Sequence, residues 1–143
     1  MTPDVSIILP CYNAHEFLEQ AVGSARAQTH ASIEILVIND GSTAPETDVA
    51  LAALPDDVRV IHQENRGLAG ARNRGYEEAR GRYVLPLDCD DWIEPGYVGA
   101  ALALLDDRED AFVFPWIDAF GQHEAVLEKH WNLFEQLVSN QMP

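Results

Sequence analysis

At 143 residues, with 47% hydrophobic and 23% charged positions, the chain has the size and composition of about one globular domain with a single sizeable core. A formal net charge of −15 excludes nucleic acid and anionic membrane surfaces as non-specific partners. Two cysteines, Cys11 and Cys89, with no C-x-x-C pair indicate neither a disulfide framework nor a zinc site. No run of about 18 apolar residues occurs, and Met1-Thr2-Pro3-Asp4 lacks the basic, then apolar, pattern of a signal peptide. The expected compartment is the cytoplasm, at the inner face of the membrane if a parent protein or partner supplies an anchor. With no internal repeat, low-complexity tract or linker, residues 1–143 read as one domain.

In chain order, Val5-Ser6-Ile7-Ile8-Leu9 is a continuous β-rich apolar run, as for a strand buried on both faces of a parallel sheet, and Pro10 is expected to stop it. Asn13 is expected to cap the following helix, with Glu16 completing a capping-box-like pair. Phe17, Leu18, Ala21, Val22 and Ala25 give that helix its apolar face. Glu34–Ile38 is the second strand, ending in the turn Asn39-Asp40-Gly41-Ser42. Ser42 or Thr43 is expected to cap a helix running through Leu54, with Pro45 in its first turn. Val58–Ile61 is a third strand. A glycine-rich helix follows, from about Asn65 to Ala79, with Gly81 as its C-cap. Each interior glycine costs roughly 1 kcal/mol relative to alanine, so Gly67, Gly70 and Gly75 ask for a packing reason. Tyr83–Leu87 is the fourth strand, Pro95 opens a helix through about Leu105, and Ala111–Pro115 is a fifth strand. Trp116 to His130 reads as an acidic loop, and Leu133, Phe134, Leu137 and Val138 as a last short helix.

This alternation predicts an α/β fold with a mostly parallel, Rossmann-like sheet and helices on both faces. In such sheets ligands bind outside the carboxyl ends of the strands, where strand order reverses. Pro10-Cys11-Tyr12-Asn13, Asp40 and Asp88–Asp91 fall at three such ends. The last is the most informative: three carboxylates within four positions repel one another and suit a hard divalent cation that also holds phosphate. Five of the nine basic residues (Arg66, Arg72, Arg74, Arg80 and Arg82) precede that cluster, as a patch for a discrete anionic ligand or as surface helix pairs. No G-x-x-x-x-G-K-[ST], G-x-G-x-x-G or G-x-S-x-G occurs, which disfavours P-loop, dinucleotide-binding and hydrolase readings. The histidines form no cluster.

Four blocks, Val5–Asn13, Val37–Thr43, Asn65–Asn73 and Leu87–Asp91, together resemble the family 2 glycosyltransferases, inverting enzymes of the GT-A fold that use nucleotide-sugars. Asn39 and Cys89 depart mildly from the family pattern, which more often has Asp and a small residue there. The resemblance implies that Pro10 and Tyr12 flank the base, that Asp40 accepts an N–H of a uracil-like base, and that Arg72 lies near the diphosphate. It implies further that Asp88 contacts ribose and, with Asp90, holds Mn²⁺ or Mg²⁺, Asp91 standing beside them. The donor it implies is a nucleotide-sugar, with UDP as the expected nucleotide; the acceptor, whether saccharide, lipid or protein, is not specified. No residue is assigned as general base: Asp118, Glu124 and Glu128 are available acids outside any motif. The resemblance therefore covers the donor-binding part, with the acceptor half of the fold not represented. Apolar residues Phe112, Phe114 and Trp116 make a homodimer a candidate arrangement. The competing readings are a non-catalytic nucleotide- or metal-binding module with a regulatory or assembly role, and a nucleotidyltransferase. The latter wants a glycine-rich basic loop after the first strand, which Pro10–Asn13 does not supply.

Overall fold

Val5–Cys11 forms β1, every residue of which is buried. The computed structural model describes residues 2–30, 32–105 and 111–113, together with the backbone of 117–119 and 125–127. The remaining elements are α1 (His15–Arg26), β2 (Ile33–Asp40), α2 (Pro45–Ala52), β3 (Val58–Gln63), α3 (Gly67–Glu78), β4 (Tyr83–Pro86), α4 (Tyr97–Leu105), β5 (Ile117–Ala119) and β6 (Ala125–Leu127). Two compact units result, 1–103 and 104–143. The first is built on a parallel sheet of order β3-β2-β1-β4.

The continuous apolar run of β1 follows from its central place. Val5, Ile7, Leu9 and Cys11 join one core cluster with Leu18, Ala21, Val22 and Ala25 of α1, Leu51 of α2 and Val98 of α4. Ile8, between them in sequence, joins a second cluster with Leu36 and Ile38 of β2 and Ala71 of α3. Alternate residues of one strand thus feed two helical layers, the expected α/β arrangement. Gly75 provides the packing reason asked of the α3 glycines. A Cβ there would come within 2.2 Å of Ile8 Cγ2. At the amino end of the sheet, the buried Ser6 hydroxyl donates to Glu34 (2.6 Å) and accepts the Gly81 N–H (2.8 Å). Arg59 bonds both Glu34 and Glu78 there, each at 3.2 Å.

Several local expectations are corrected. Pro10 does not stop β1; it pairs in register with Ile38, and it is tolerated because β4 has already ended opposite Ile8. Helix α1 begins after Ala14 with no side-chain cap, so Asn13 and Glu16 form no capping box there. Phe17 is 48% exposed and lies off the buried stripe of α1. Helix α2 stops at Ala52 and takes no side-chain cap from Ser42 or Thr43. Helix α3 ends at Glu78 with Ala79 as C-cap; Gly81 lies beyond it, pressed against Ser6, where a Cβ would meet backbone N at 2.5 Å. Residues 111–113 are not strand. The second unit instead contains β5 and β6, an antiparallel pair with Ile117 level with Leu127, inside the stretch read as a loop. The expected helix around Leu133–Val138 lies outside the described residues. No helix among the described residues is long and apolar enough to cross a membrane.

Candidate functional site

Strands β2 and β3 lie on one side of β1 and β4 lies on the other, so strand order reverses between β1 and β4. The polar loops leave the sheet at the carboxyl ends of these strands, where an α/β sheet opens a crevice. Pairing ends at Ile8↔Pro86, and the last rung is the Leu87 N–H donating to Ile8 O at 2.9 Å. Carrying that register three residues onward brings Cys11 level with Cys89.

Tyr12, the first residue beyond β1, is 51% exposed. Asn13 next to it is left-handed (φ 53°), the only such non-glycine position among the described residues. Its side chain crosses to the loop after β2: Oδ1 accepts the N–H groups of Thr43 (2.8 Å) and Ala44 (3.0 Å). Its own N–H donates to Ser42 Oγ at 3.1 Å. Asn13, about 30 residues upstream in the chain, thus holds the lead-in to α2, while the helix itself starts after Ala44 with no side-chain cap. Asn39 closes the same loop by accepting the Ser42 N–H at 3.0 Å. With that oxygen engaged, the Asn39 amide donates to His62 Nδ1 (3.1 Å), which places the His62 proton on Nε2.

Asp40 is 2% exposed. Its Oδ1 accepts two donors, Gln63 Nε2 (2.6 Å) and the Arg66 N–H (2.8 Å). The carboxylate thus ties the end of β2 to the end of β3 and to the start of α3. The turn between them is close: Gly41 has φ +66°, and a Cβ there would meet Asn65 N at 2.7 Å. Gln63 Oε1, buried beside Asp40, has no hydrogen-bond partner among the described residues.

On the other side of the switch, Arg72 from α3 meets Asp88 after β4. One guanidinium nitrogen donates to both carboxylate oxygens, at 2.6 and 2.9 Å. Asp90 and Asp91 are exposed beside this pair. The Asp91 carboxyl is pushed above its ordinary value, first by partial desolvation and then by the charges of Asp90 and Asp88. The segment after them is held down by α1. Gln28 Nε2 donates to Glu94 O (2.8 Å), Gln28 Oε1 accepts the Val98 N–H (2.9 Å), and the Ile93 N–H reaches Ser24 Oγ (3.3 Å).

The basic patch is only partly available to a ligand. Arg72 is paired with Asp88, and Arg74 is engaged along its own helix with Glu78 (2.7 Å). Arg82 lies over the Tyr83 ring, 5.2 Å from its centroid. Arg66 is exposed and makes no ion pair among the described residues.

The two cysteines, level with each other in this register, are both buried. Cys89 Sγ donates to Pro10 O at 3.0 Å. The Cys89 side chain also lies beside Cys11 and favours its thiolate. That interaction outweighs desolvation and lowers the Cys11 thiol from 9.0 to about 7. Cys89 is pushed strongly up, by the same interaction, by burial, and by the charges of Cys11, Asp88 and Asp90.

The structure thus gathers Pro10, Tyr12, Asp40, Arg72, Asp88 and Asp90 at the carboxyl end of one sheet, on strand ends, loops and α3. Sequence reasoning missed Asn13 as a bridge and Gln63 as a partner of Asp40. A local capping signature hides the first, and a lone polar residue ending a strand gives no signal for the second. A separate cavity of about 550 Å³, lined by Arg26, Gln28, His30 and Asp57 among others, opens at the opposite end of the sheet and shares no residue with these loops.

Comparison with known proteins agrees with this geometry. The family model described as Glycosyl transferase family 2 matches residues 6–142. YibD of Escherichia coli strain K12, named as an uncharacterized glycosyltransferase, is 40% identical over 114 residues, which is 77% of this chain and 33% of YibD. Residues 1–349 of TarS from S. aureus superpose with a TM-score of 0.63 at 27% identity, over 73% of this chain and 32% of that fragment. The mannosyltransferase PcManGT from Pyrobaculum calidifontis, in complex with GDP-Man and Mn²⁺, gives a TM-score of 0.64 at 26% identity, over 76% of this chain and 34% of that one. The chain spans about a third of the length of each of these chains. Its parallel sheet and flanking helices are those of the N-terminal part of GT-A glycosyltransferases. On the family match across nearly its whole length, the chain belongs to glycosyl transferase family 2.

Proposed function

We propose that this chain binds the nucleotide-sugar donor of an inverting, metal-dependent glycosyltransferase, with UDP as the nucleotide. The observation that carries the reading is the convergence of Tyr12, Asp40 and the Arg72–Asp88 pair at the carboxyl ends of β1, β2 and β4. Tyr12 offers an exposed ring for the base to stack on. Asp40 offers a carboxylate already fixed through Oδ1, so an incoming N–H meets an oriented acceptor. Arg72 brings a cation to the place where the diphosphate arrives.

Among the described residues no three His, Cys, Asp or Glu side chains form a ready-made metal cage. The donor set fits a shared site instead. Mg²⁺ and Mn²⁺ favour hard oxygens and are held by one or two carboxylates plus substrate phosphates. Asp90 and Asp88 are the residues that would hold the ion, with Asp91 adjacent. When bound, the ion neutralises charge on the departing nucleotide. Inversion further requires a general base on the acceptor face. No residue of this chain is assigned that role, and acceptor binding is not assigned to it.

Calorimetric titration of UDP, GDP, CDP and ADP, each with and without Mn²⁺, tests the reading. Guanine also presents N–H donors to a carboxylate, so GDP is the informative competitor. The expected result is metal-dependent preference for UDP, with nucleotide and metal affinity lost together in Asp90→Ala. Equal UDP–Mn²⁺ binding by Asp90→Ala and the parent chain would overturn the metal assignment; preference for GDP would overturn the base.

A further inference from the structure

We propose that Asn13 is a positioning residue that fixes the distance between the Tyr12 ring and the Asp40 carboxylate, and so sets the width of the base slot. The proposal rests on the donor-binding reading and deepens it. Tyr12 lies on the loop after β1 and Asp40 is the last residue of β2, one position beyond the last rung that the two strands share, Cys11↔Asn39, so β1–β2 pairing does not itself hold the two side chains at one spacing. Asn13 supplies the link. Its Oδ1 accepts the Thr43 and Ala44 N–H groups, its Nδ2 donates to Thr43 Oγ1 (3.4 Å), and its backbone N–H donates to Ser42 Oγ. All four bonds go to residues 42–44, which follow Asp40-Gly41 directly.

The backbone of Asn13 serves the same end. A φ of 53° reverses the chain immediately after Tyr12, a conformation that asparagine tolerates and β-branched or bulky residues resist. The side chain thereby reaches the neighbouring loop while Tyr12 stays half exposed. Asn39 braces the far side by accepting the Ser42 N–H, and Asp40 is itself fixed to Gln63 and Arg66. The slot is thus braced from both walls, and a slot held at its bound width loses little freedom when the base enters.

A residue that only tied the loop after β1 to the loop after β2 for stability would leave recognition of the base untouched. Titration of the whole 143-residue chain with UDP–Mn²⁺ and with pyrophosphate–Mn²⁺, which has no base, separates the two roles. Asn13→Gly keeps the left-handed backbone without strain and removes every side-chain bond. It is expected to weaken UDP by about tenfold and to leave pyrophosphate within about twofold. Asn13→Asp keeps the acceptor for both N–H groups and is expected to restore most of the UDP affinity. Unchanged UDP affinity in Asn13→Gly, or equal losses for UDP and pyrophosphate, would overturn the proposal. If Asn13→Gly does not fold, Ser42→Ala removes the acceptor of the Asn13 N–H while keeping the Asn13 side chain, and carries the same expectation at a smaller factor; an unchanged UDP-to-pyrophosphate ratio in it is equally decisive. A parent chain that binds no nucleotide overturns the donor reading, and this role with it. Binding by the parent with an unaltered variant overturns this inference alone.

Discussion

Arg72 and Asp88 are each other's partner: one guanidinium nitrogen bridges both carboxylate oxygens, at 2.6 and 2.9 Å. The sequence blocks that suggest a role for each lie on different elements, one inside α3 and one after β4. Their pairing links the basic helix to the acidic cluster across the point where strand order reverses. It also offsets the charge of one of three crowded carboxylates.

That pair is about one-third exposed on either side, so solvent screens it and its contribution to stability is below about 1 kcal/mol. Its value lies in orientation. Arg72→Ala is expected to leave the unfolding temperature within a few degrees of the parent while weakening UDP–Mn²⁺ by roughly tenfold, because a cation near the diphosphate and the anchor of Asp88 go together. Thermal unfolding and calorimetry on the same preparation check this. A large loss of stability with unchanged affinity would make the pair structural instead.

The cysteine pair gives a pH-dependent readout of the crevice floor. The neighbouring Cys89 side chain lowers the Cys11 thiol from 9.0 to about 7, against the opposing effect of burial. Alkylation of Cys11 by iodoacetamide is expected to accelerate as pH rises through about 7, since the thiolate is the nucleophile. In Cys89→Ala the midpoint is expected to move up toward the ordinary value of 9.0. Bound UDP–Mn²⁺ is expected to slow the reaction, because both cysteines lie under the loops that would close on it. Mass spectrometry of labelled peptides reads both effects, and a rate indifferent to ligand would place the crevice elsewhere.

What the sequence made legible follows the range of the interactions involved. The run Val5–Leu9 announces a strand buried on both faces because each of its residues must be apolar whichever way it points. The placement of Asp40 and Asp88 follows from strand–helix alternation and the switch-point rule alone, and the register of β1 and β4 makes neighbours of Cys11 and Cys89. Asn13 misleads because the capping pattern is read along the chain. Its donors in fact belong to the loop after β2, 30 residues further on, and they become visible only when β1 and β2 are paired. Ala111–Val113 carries strong β propensity without being strand, whereas β5 and β6, at three residues each, are too short for any periodicity to register. Arg72 and Arg74 lie two positions apart on α3; which of them meets Asp88 and which runs along the helix depends on packing against β1 that no pattern states.

Acid sensitivity is expected from the amino end of the sheet. Burial alone would raise the Glu34 carboxyl, but the Ser6 hydroxyl, the Arg80 N–H and Arg59 together hold it below its ordinary value of 4.5. A carboxyl depressed in the folded state contributes stability that is present above the unfolded value and lost as pH falls through the folded one. Urea midpoints are therefore expected to decline below about pH 4.5, and to decline less steeply in Glu34→Gln, where this titration is absent. Parallel curves for the two proteins would show that Glu34 contributes nothing to the acid limb.

Two glycines on helices separate packing from propensity. Gly23 in α1 has nothing within 4 Å of a Cβ placed on it, so Gly23→Ala gains helix propensity at no steric cost and is expected to stabilise by about 0.5–1 kcal/mol. Gly75 in α3 gains the same propensity, but its new methyl would lie 2.2 Å from Ile8 Cγ2 and 3.0 Å from Ile8 Cδ1. Ile8 cannot swing away: it is fully buried in the central strand, and its β-branch leaves little freedom at χ1. Helix α3 would have to lift off the sheet, and overpacking of this kind costs about 1–3 kcal/mol, enough to exceed the propensity gain. That lift would also carry Arg72, three residues earlier on α3, away from Asp88. Gly75→Ala is thus expected to lower the unfolding temperature and weaken UDP–Mn²⁺ together, while Gly23→Ala raises the first and leaves the second unchanged. Melting curves and nucleotide titrations of the two variants decide it. Shifts of the same sign in both would mean that contact between α3 and β1 does not govern the position of Arg72.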